Sequence, residues 1–174
     1  MNKKFSVVLI CAVSMAASSA LAQDFQFSDR SRAQTLSMGG GLGFTLSPDL
    51  FLMGVEGHYF VHQNIAVGPL LQFGVDDNIF LLSPSLNVRG VFDLPAPGFA
   101  KRVKPFVQAG AGLSYIDVDR RGDDTSFLIN MGFGTDVYLT TNFALETSIL
   151  FNITPNFDDN FYFAWQFISA QYHF

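Results

Sequence analysis

Glu56 and His58 stand two residues apart in a segment that otherwise alternates, so both side chains fall on one face of a strand. A carboxylate beside an imidazole is a pairing that hydrolases use for general acid–base chemistry. Tyr59 and Phe60 follow His58, however, and no His-x-Ser sequence occurs in the chain, so catalysis is not expected. Arg89, Asp136 and Glu146 occupy the equivalent, non-apolar face of three further alternating segments. Only 14% of the chain is charged, which makes these five ionisable residues candidates for a single cluster. If their faces meet in a narrow interior, an isolated charge there is costly and must be paired. Arg89 is therefore expected as the hub of an interior ion-pair network, with Glu56 or Glu146 as partner. Such a network could serve as a polar path or gate. It could equally be a plug of salt bridges that sets strand register, and the plug is the preferred reading.

The other candidates for chemistry carry less. Residues 39–43 (GGGLG) approach a phosphate-loop pattern but lack the Lys-Ser/Thr it needs, and no helix follows. Nine of the 15 acids, Asp49, Asp76, Asp77, Asp117, Asp119, Asp123, Asp124, Asp158 and Asp159, fall in or beside connecting segments. Carboxylate clusters can hold hard divalent cations, but solvated loops are the plainer reading. Arg30, Arg32, Lys101, Arg102 and Lys104 group in other connections. No catalytic residue, cofactor or metal site is expected.

The 174-residue chain begins with Lys3 and Lys4, runs apolar from Phe5 to about Ala17 and then reads SSALAQ over residues 18–23. This is the layout of a secretory signal peptide, with cleavage expected after Ala22. Its apolar run is too short to span a bilayer as a helix. The one cysteine, Cys11, lies within it and follows Ile10, where a lipoprotein signal would need a small residue. The exported chain is thus expected to lack disulfides and thiolate metal sites. The formal charge of −5 becomes −7 once Lys3 and Lys4 are removed, which argues against nucleic-acid binding.

The elements that must position these residues follow from a period of two. Apolar Leu36, Met38, Leu42 and Phe44 alternate with Ser37, Gly39, Gly41 and Gly43. The pattern recurs through Met53–Val55–Tyr59–Val61 opposite Glu56, His58 and His62, and through Ile65–Val67–Pro69–Leu71–Phe73 opposite Gly68 and Gln72. It continues in segments carrying Asn87 and Arg89, Gln108 and Gly110, Asn130 and Asp136, and Glu146 and Ser148. In residues 166–174 the apolar set is Ile168, Ala170, Tyr172 and Phe174. Phe163, Trp165 and Phe167 have the other parity, so a bulge is expected near Phe167. Pro69 and Pro84 weaken their strands as parts of an ordinary sheet. About eight strands of about ten residues result, joined in sequence by turns.

One face of each strand is crowded with glycine and small polar residues. A soluble β-sandwich core built from such a face would pack poorly, whereas the inside of a narrow barrel has room for it. The apolar face must then point outward into lipid. The expected fold is all-β: an eight-stranded antiparallel up-and-down transmembrane β-barrel over residues 35–174, preceded by a short leader over 23–34 and the signal peptide over 1–22.

Three stretches carry a resemblance: residues 57–68 (GHYFVHQNIAVG), 104–112 (KPFVQAGAG) and 132–145 (GFGTDVYLTTNFAL). They resemble the strand–turn–strand units of the small outer membrane β-barrel domain family of Gram-negative bacteria. The resemblance covers most of the exported chain, and its motifs mark fold rather than chemistry. It implies a barrel in the cell outer membrane with both ends in the periplasm. The turns at Gln63, Pro97 and Asn142 would then be periplasmic, and the loops at Asp49, Asp76, Arg120 and Asp158 external, where lipopolysaccharide brings divalent cations. Two aromatic girdles are expected: Tyr59, Phe92, Tyr138, Phe143, Tyr172 and Phe174 below, and Phe44, Phe73, Tyr115, Phe127, Phe151 and Tyr162 above.

The resemblance also implies that the face made by Ile168, Ala170, Tyr172 and Phe174 is the signal read by the outer membrane assembly machinery. The other expected partners are outer membrane lipids including lipopolysaccharide, the barrel being a monomer that binds no nucleic acid. Some small outer membrane barrels are lipid-modifying enzymes, but these would want a Ser close to a His on the lipid-facing side. The leading expectation is a structural or surface-interaction barrel without catalysis. The alternatives are a narrow pore or small-ligand conduit and, behind it, a lipid-modifying enzyme.

Overall fold

The computed structural model describes residues 32–95, 97–118, 122–155 and 160–174. The expected signal peptide, its cleavage point after Ala22, Cys11, Arg30 and most of the leader lie outside the described residues. So do Asp119, Arg120, Asp158 and Asp159.

Eight strands form: β1 (Leu36–Leu46), β2 (Leu50–His62), β3 (Ile65–Asp76), β4 (Ile79–Val91), β5 (Val103–Val118), β6 (Gly122–Tyr138), β7 (Phe143–Ile153) and β8 (Phe161–His173). A 3-10 turn, Gly98–Arg102, precedes β5. Each strand pairs antiparallel with its sequence neighbour, and β1 pairs with β8 to close the barrel. Among the described residues, no helix is long and apolar enough to cross a membrane.

The alternation sorts side chains in the inverted sense. Met38, Val55, Tyr59, Leu86, Val88, Val107, Phe133 and Tyr172 are exposed on the outer wall. Glu56, His58, Gln72, Asn87, Arg89, Gln108, Asn130, Asp136, Glu146 and Gln171 are buried within. Parity also corrects three expectations. Tyr138 and Tyr162 are not girdle residues: they share parity with Asp136 and Ala164 and point into the lumen, 6% and 2% exposed. His62 is not lumenal, because the β2–β3 register shifts between Phe60 and His62 and turns it outward. Gly122, Asp123 and Asp124 belong to β6 and pair with Val118, Asp117 and Ile116.

The bulge near Phe167 is present. Leu42 faces Ile168 and Gly43 faces Gln166, so Phe167 is skipped and both Phe167 and Ile168 point outward. A one-residue slip is what keeps both aromatic sets of β8 on the outer wall. Pro69 and Pro84 lie within β3 and β4. The β2–β3 pairing lapses between Glu56↔Leu70 and Tyr59↔Val67, and the β4–β5 pairing between Leu82↔Tyr115 and Ser85↔Gly112. Each proline therefore sits where the ladder asks for no donor, the placement open to a residue without an N–H.

The lumen is less uniformly polar than the sequence pattern suggests. Leu50, Leu52, Leu70, Leu81, Leu150, Tyr162 and Ala164 form an apolar cluster in the half nearer the loops at 47–49 and 77–78. Phe60, Ala66, Val91 and Phe106 form a second cluster at the end where Arg32 and Phe174 lie. That end is tied by Gln34 N–H to the Phe60 carbonyl at 2.8 Å and by Phe174 N–H to the Leu36 carbonyl at 2.8 Å.

Barrel closure depends on small residues in β1. A Cβ placed on Gly43 would collide with the Trp165 carbonyl of β8, whereas one on Gly57 would meet only the Ser37 carbonyl, at 3.8 Å. Gly43→Ala is therefore expected to destabilise the barrel by about 1–3 kcal/mol through overpacking, and Gly57→Ala much less. The temperature at which the compact form is lost on detergent gels measures both; equal shifts would refute this account of closure.

Candidate functional site

The site is a belt of charge across the lumen. Glu56 enters from β2, Arg89 from β4, Asp136 from β6 and Glu146 from β7, each on an inward position of its strand. The Arg89 guanidinium donates from Nη1 to Glu146 Oε2 at 2.9 Å and from Nη2 to Glu56 Oε2 at 3.1 Å. Nη2 also reaches Glu146 Oε1 at 3.3 Å. Its Nε and Nη2 donate to Gln108 Oε1 of β5 at 3.1 and 3.0 Å, and Cζ lies 3.9 Å above the Phe106 ring. One cation is thus held by two carboxylates, an amide and an aromatic face, all buried.

Gln171 of β8 closes the belt. Its amide nitrogen donates to Glu56 Oε1 and, at 3.1 Å, to Glu146 Oε2. Gly39 of β1 makes room for this, because a Cβ there would strike the Gln171 amide. Asp136 lies directly across the β6–β7 ladder from Glu146. His58 Nε2 is 3.7 Å from Glu56 Oε2, an ion-pair distance if the ring is protonated but too long for a hydrogen bond. Of the four residues expected around Arg89, Glu56 and Glu146 therefore touch its guanidinium, and His58 and Asp136 lie beside those two glutamates. Gln108, Gln171 and Phe106 complete the cluster. Their inward parity was readable in the sequence, but their height in the barrel depends on register across non-sequential strands.

Neutral polar pairs fill the levels above and below. Asn87 and Asn130 both donate to Ser85 Oγ, at 2.9 and 3.0 Å, and Ser148 donates to Gln166 Oε1 at 3.2 Å. Nearer the loops, Ser83 Oγ bridges Ser114 at 2.7 Å and Tyr162 at 3.1 Å. At the other end Tyr138 Oη lies 3.1 Å from His173 Nε2.

Outside the lumen, Arg32 fastens the leader to the β4–β5 connection. It donates to Asp93 at 2.9 and 3.0 Å and to the Gln63 carbonyl at 3.1 Å. Lys104 donates to the same carboxylate at 2.5 Å, and the Asn64 side-chain amide donates to it at 3.1 Å. Partial burial raises the Asp93 carboxyl, but the Lys104 hydrogen bond, the Arg32 charge and the Asn64 amide outweigh it and hold the group below its ordinary range. On the opposite rim Asp117 and Asp123 face each other across the β5–β6 ladder. Among the described residues, no group of three or more His, Cys, Asp or Glu is placed to hold a metal ion.

Ile168, Ala170, Tyr172 and Phe174 all point outward at the closing seam, with Tyr172 opposite Met38 and Ala170 opposite Gly40. Tyr172 and Phe174 meet edge to face at 5.0 Å.

Removing Arg89 leaves the neighbouring carboxylates buried and unpaired. Arg89→Ala is expected to destabilise the barrel by about 3–5 kcal/mol, read as a lower urea midpoint. Arg89→Met combined with Glu56→Gln and Glu146→Gln is expected to restore most of that loss; a single variant as stable as wild type would refute the central role of Arg89.

No family model matches the chain, and no curated protein sequence matches it. Solved structures do. The N-terminal β-barrel domain of Pseudomonas aeruginosa OprF superposes with a TM-score of 0.61 at 18% identity, covering 82% of this chain and 98% of that one. Neisserial surface protein A gives 0.64 at 16% identity, covering 80% and 96%. Ail, the attachment invasion locus protein of Yersinia pestis, gives 0.52 at 15% identity, covering 80% and 97%. The chain has the fold of the eight-stranded outer membrane β-barrels.

Proposed function

We propose that this protein is an integral outer membrane barrel with a structural or surface-interaction role, one that neither conducts nor catalyses. The observation that carries the reading is the filled lumen. Arg89 is clamped between Glu56, Glu146, Gln108 and Phe106, and the loop-side half is packed with Leu50, Leu52, Leu70, Leu81, Leu150 and Tyr162. A conduit needs a continuous wet path, and a layer of buried leucine opposes one. Membrane residence is supported by the apolar outer wall, since a closed barrel is the form in which strands can meet hydrocarbon with every backbone group paired. The short described connections at residues 47–49 and 77–78 favour modest contacts, and two neighbours of the same fold are named as a surface protein and an attachment invasion locus protein.

With both ends of the described barrel at one rim, the reading places that rim in the periplasm and the acidic rim of Asp49, Asp76, Asp77, Asp117, Asp123 and Asp124 outside, next to lipopolysaccharide. Catalysis on lipid would need a base on the outer wall beside a nucleophile: His58 is 1% exposed and faces the lumen, and the outward His62 at the end of β2 pairs with Ile65. In planar bilayers the protein is expected to show no steady conductance, and lipid A mass spectra are expected to be the same with and without it. A steady wild-type current with selectivity altered in Arg89→Ala would replace this reading with the conduit; a changed lipid A spectrum would replace it with the enzyme.

The same reading assigns the outward face of Ile168, Ala170, Tyr172 and Phe174 to the assembly machinery. Phe174 is 62% exposed, and its ring meets that of Tyr172, itself on the outer wall. Phe174→Ala is expected to cut the folded fraction in the outer membrane several-fold. The assembled barrel should change in stability by only about 0.5 kcal/mol, as for an ordinary surface substitution. Undiminished assembly would remove the assignment.

A further inference from the structure

We infer that the open edge of β6 takes up a basic, extended segment of a partner polypeptide as an added strand; this rests on the surface-interaction reading just given. The β5–β6 hairpin outruns the strand that should flank it. β6 pairs with β5 from Gly122 onward, but its pairing with β7 starts only at Ile129↔Ile153. Beyond that point β7 stops, and Thr154 N–H turns back to the Asn160 carbonyl at 2.9 Å. Residues 122–128 therefore have no strand on the β7 side among the described residues. That is about 20 Å of edge at the strand rise.

Backbone parity says which groups this edge offers. Phe92 N–H bonds the Pro105 carbonyl, so odd residues of β5 turn their backbone groups to β4 and even ones to β6. Pairing sets even opposite even (Gly112↔Leu128, Ser114↔Ser126, Ile116↔Asp124), which leaves Asp123, Thr125 and Phe127 facing the open side. The side chains agree. Thr125 N–H donates to Asp124 Oδ1 at 2.7 Å, and Ser126 Oγ donates to the Phe127 carbonyl at 3.0 Å. Such local caps stand in for a ladder and compete with it.

Charge selects the occupant. Asp117 and Asp123 face each other across the hairpin and Asp124 follows, all three exposed. Over residues 117–124 the sequence carries four acids against Arg120 and Arg121. A second copy laid on the same edge would bring its own acids to it, and like charges side by side oppose pairing. A segment with Lys or Arg at alternate positions meets those acids instead. Its carbonyl takes the Thr125 N–H, and the released Asp124 carboxylate pairs with a basic side chain. Main-chain bonds supply the grip and the carboxylates the selection.

The probe is a short peptide alternating Lys and Thr, offered to the protein in nanodiscs and followed by fluorescence anisotropy. Beside it run a Glu/Thr peptide and a Lys/Thr peptide N-methylated at alternate amides. Wild type is expected to bind Lys/Thr about tenfold tighter than Glu/Thr, with the preference falling as salt rises. N-methylation is expected to weaken binding about tenfold by removing main-chain donors. Thr125→Pro removes an N–H that β5 does not use, so the hairpin is retained and binding is expected to fall by a similar factor. Asp123→Asn with Asp124→Asn is expected to erase most of the preference for Lys over Glu. Equal binding of the two peptides, or binding unchanged by N-methylation or by Thr125→Pro, overturns the inference. So does a wild-type dimer in detergent that Thr125→Pro dissolves. The N-methylated peptide leaves the protein untouched, so it decides even where a variant does not fold. A barrel that neither conducts nor alters lipid A and binds no peptide fails this inference alone; one that conducts or alters lipid A fails the reading beneath it.

Discussion

The constraint on which everything else depends, on the membrane reading proposed above, is that a strand edge cannot be left open to hydrocarbon. Each unpaired backbone N–H or C=O there costs several kcal/mol. β1 and β8, the first and last strands of the barrel, must therefore meet, and they do so over Ser37↔His173 to Leu46↔Phe163. The other features of the seam serve that meeting. Gly41 and Gly43 let β1 approach β8 closely, and the bulge at Phe167 lets β8 keep its aromatics outside while its polar residues stay within.

Closing so few strands leaves a lumen only wide enough for side chains, and the contents of that lumen are stacked. Leucines and Tyr162 fill the loop side, serine and asparagine pairs lie beneath them, the Arg89 belt follows, and Phe60, Phe106 and Val91 seal the end. Burying three carboxylates around one guanidinium is expensive unless geometry is good. Here the guanidinium is bracketed from β2, β5 and β7 at once, and Gln171 reaches across from β8 to both glutamates. Because its donors and acceptors come from strands far apart in sequence, the belt ties opposite walls together and favours one register over its neighbours.

Among the described residues the two rims differ in charge, and the difference arises at strand ends and connections rather than in mid-wall. The described residues of the loop rim carry acids alone, while those of the other rim include Arg32, Lys101, Arg102 and Lys104, with Asp93 held by Arg32 and Lys104. A barrel wall that is uniform in its apolar character can therefore still present two distinct chemistries to the two leaflets of a membrane.

Strand number, the inward or outward side of nearly every residue, the bulge in β8 and the inverted sense of the barrel were all legible in the sequence, because a period of two is a local property of the chain. The five ionisable residues could be assigned to the lumen for the same reason. Parity applied without exception would also have turned Tyr138 and Tyr162 inward; their aromatic character argued the other way, and geometry prevailed. What the sequence did not contain was height. Whether Glu56, Arg89 and Glu146 share a level, and whether Gln108 and Gln171 join them, depends on register accumulated around a closed sheet and on the one-residue slips in β2 and β8. The leucine plug was hidden similarly, since inward leucines scattered over four strands become a cluster only when closure brings them together. Local alternation is written residue by residue, whereas contact across a barrel exists only after the first strand has found the last.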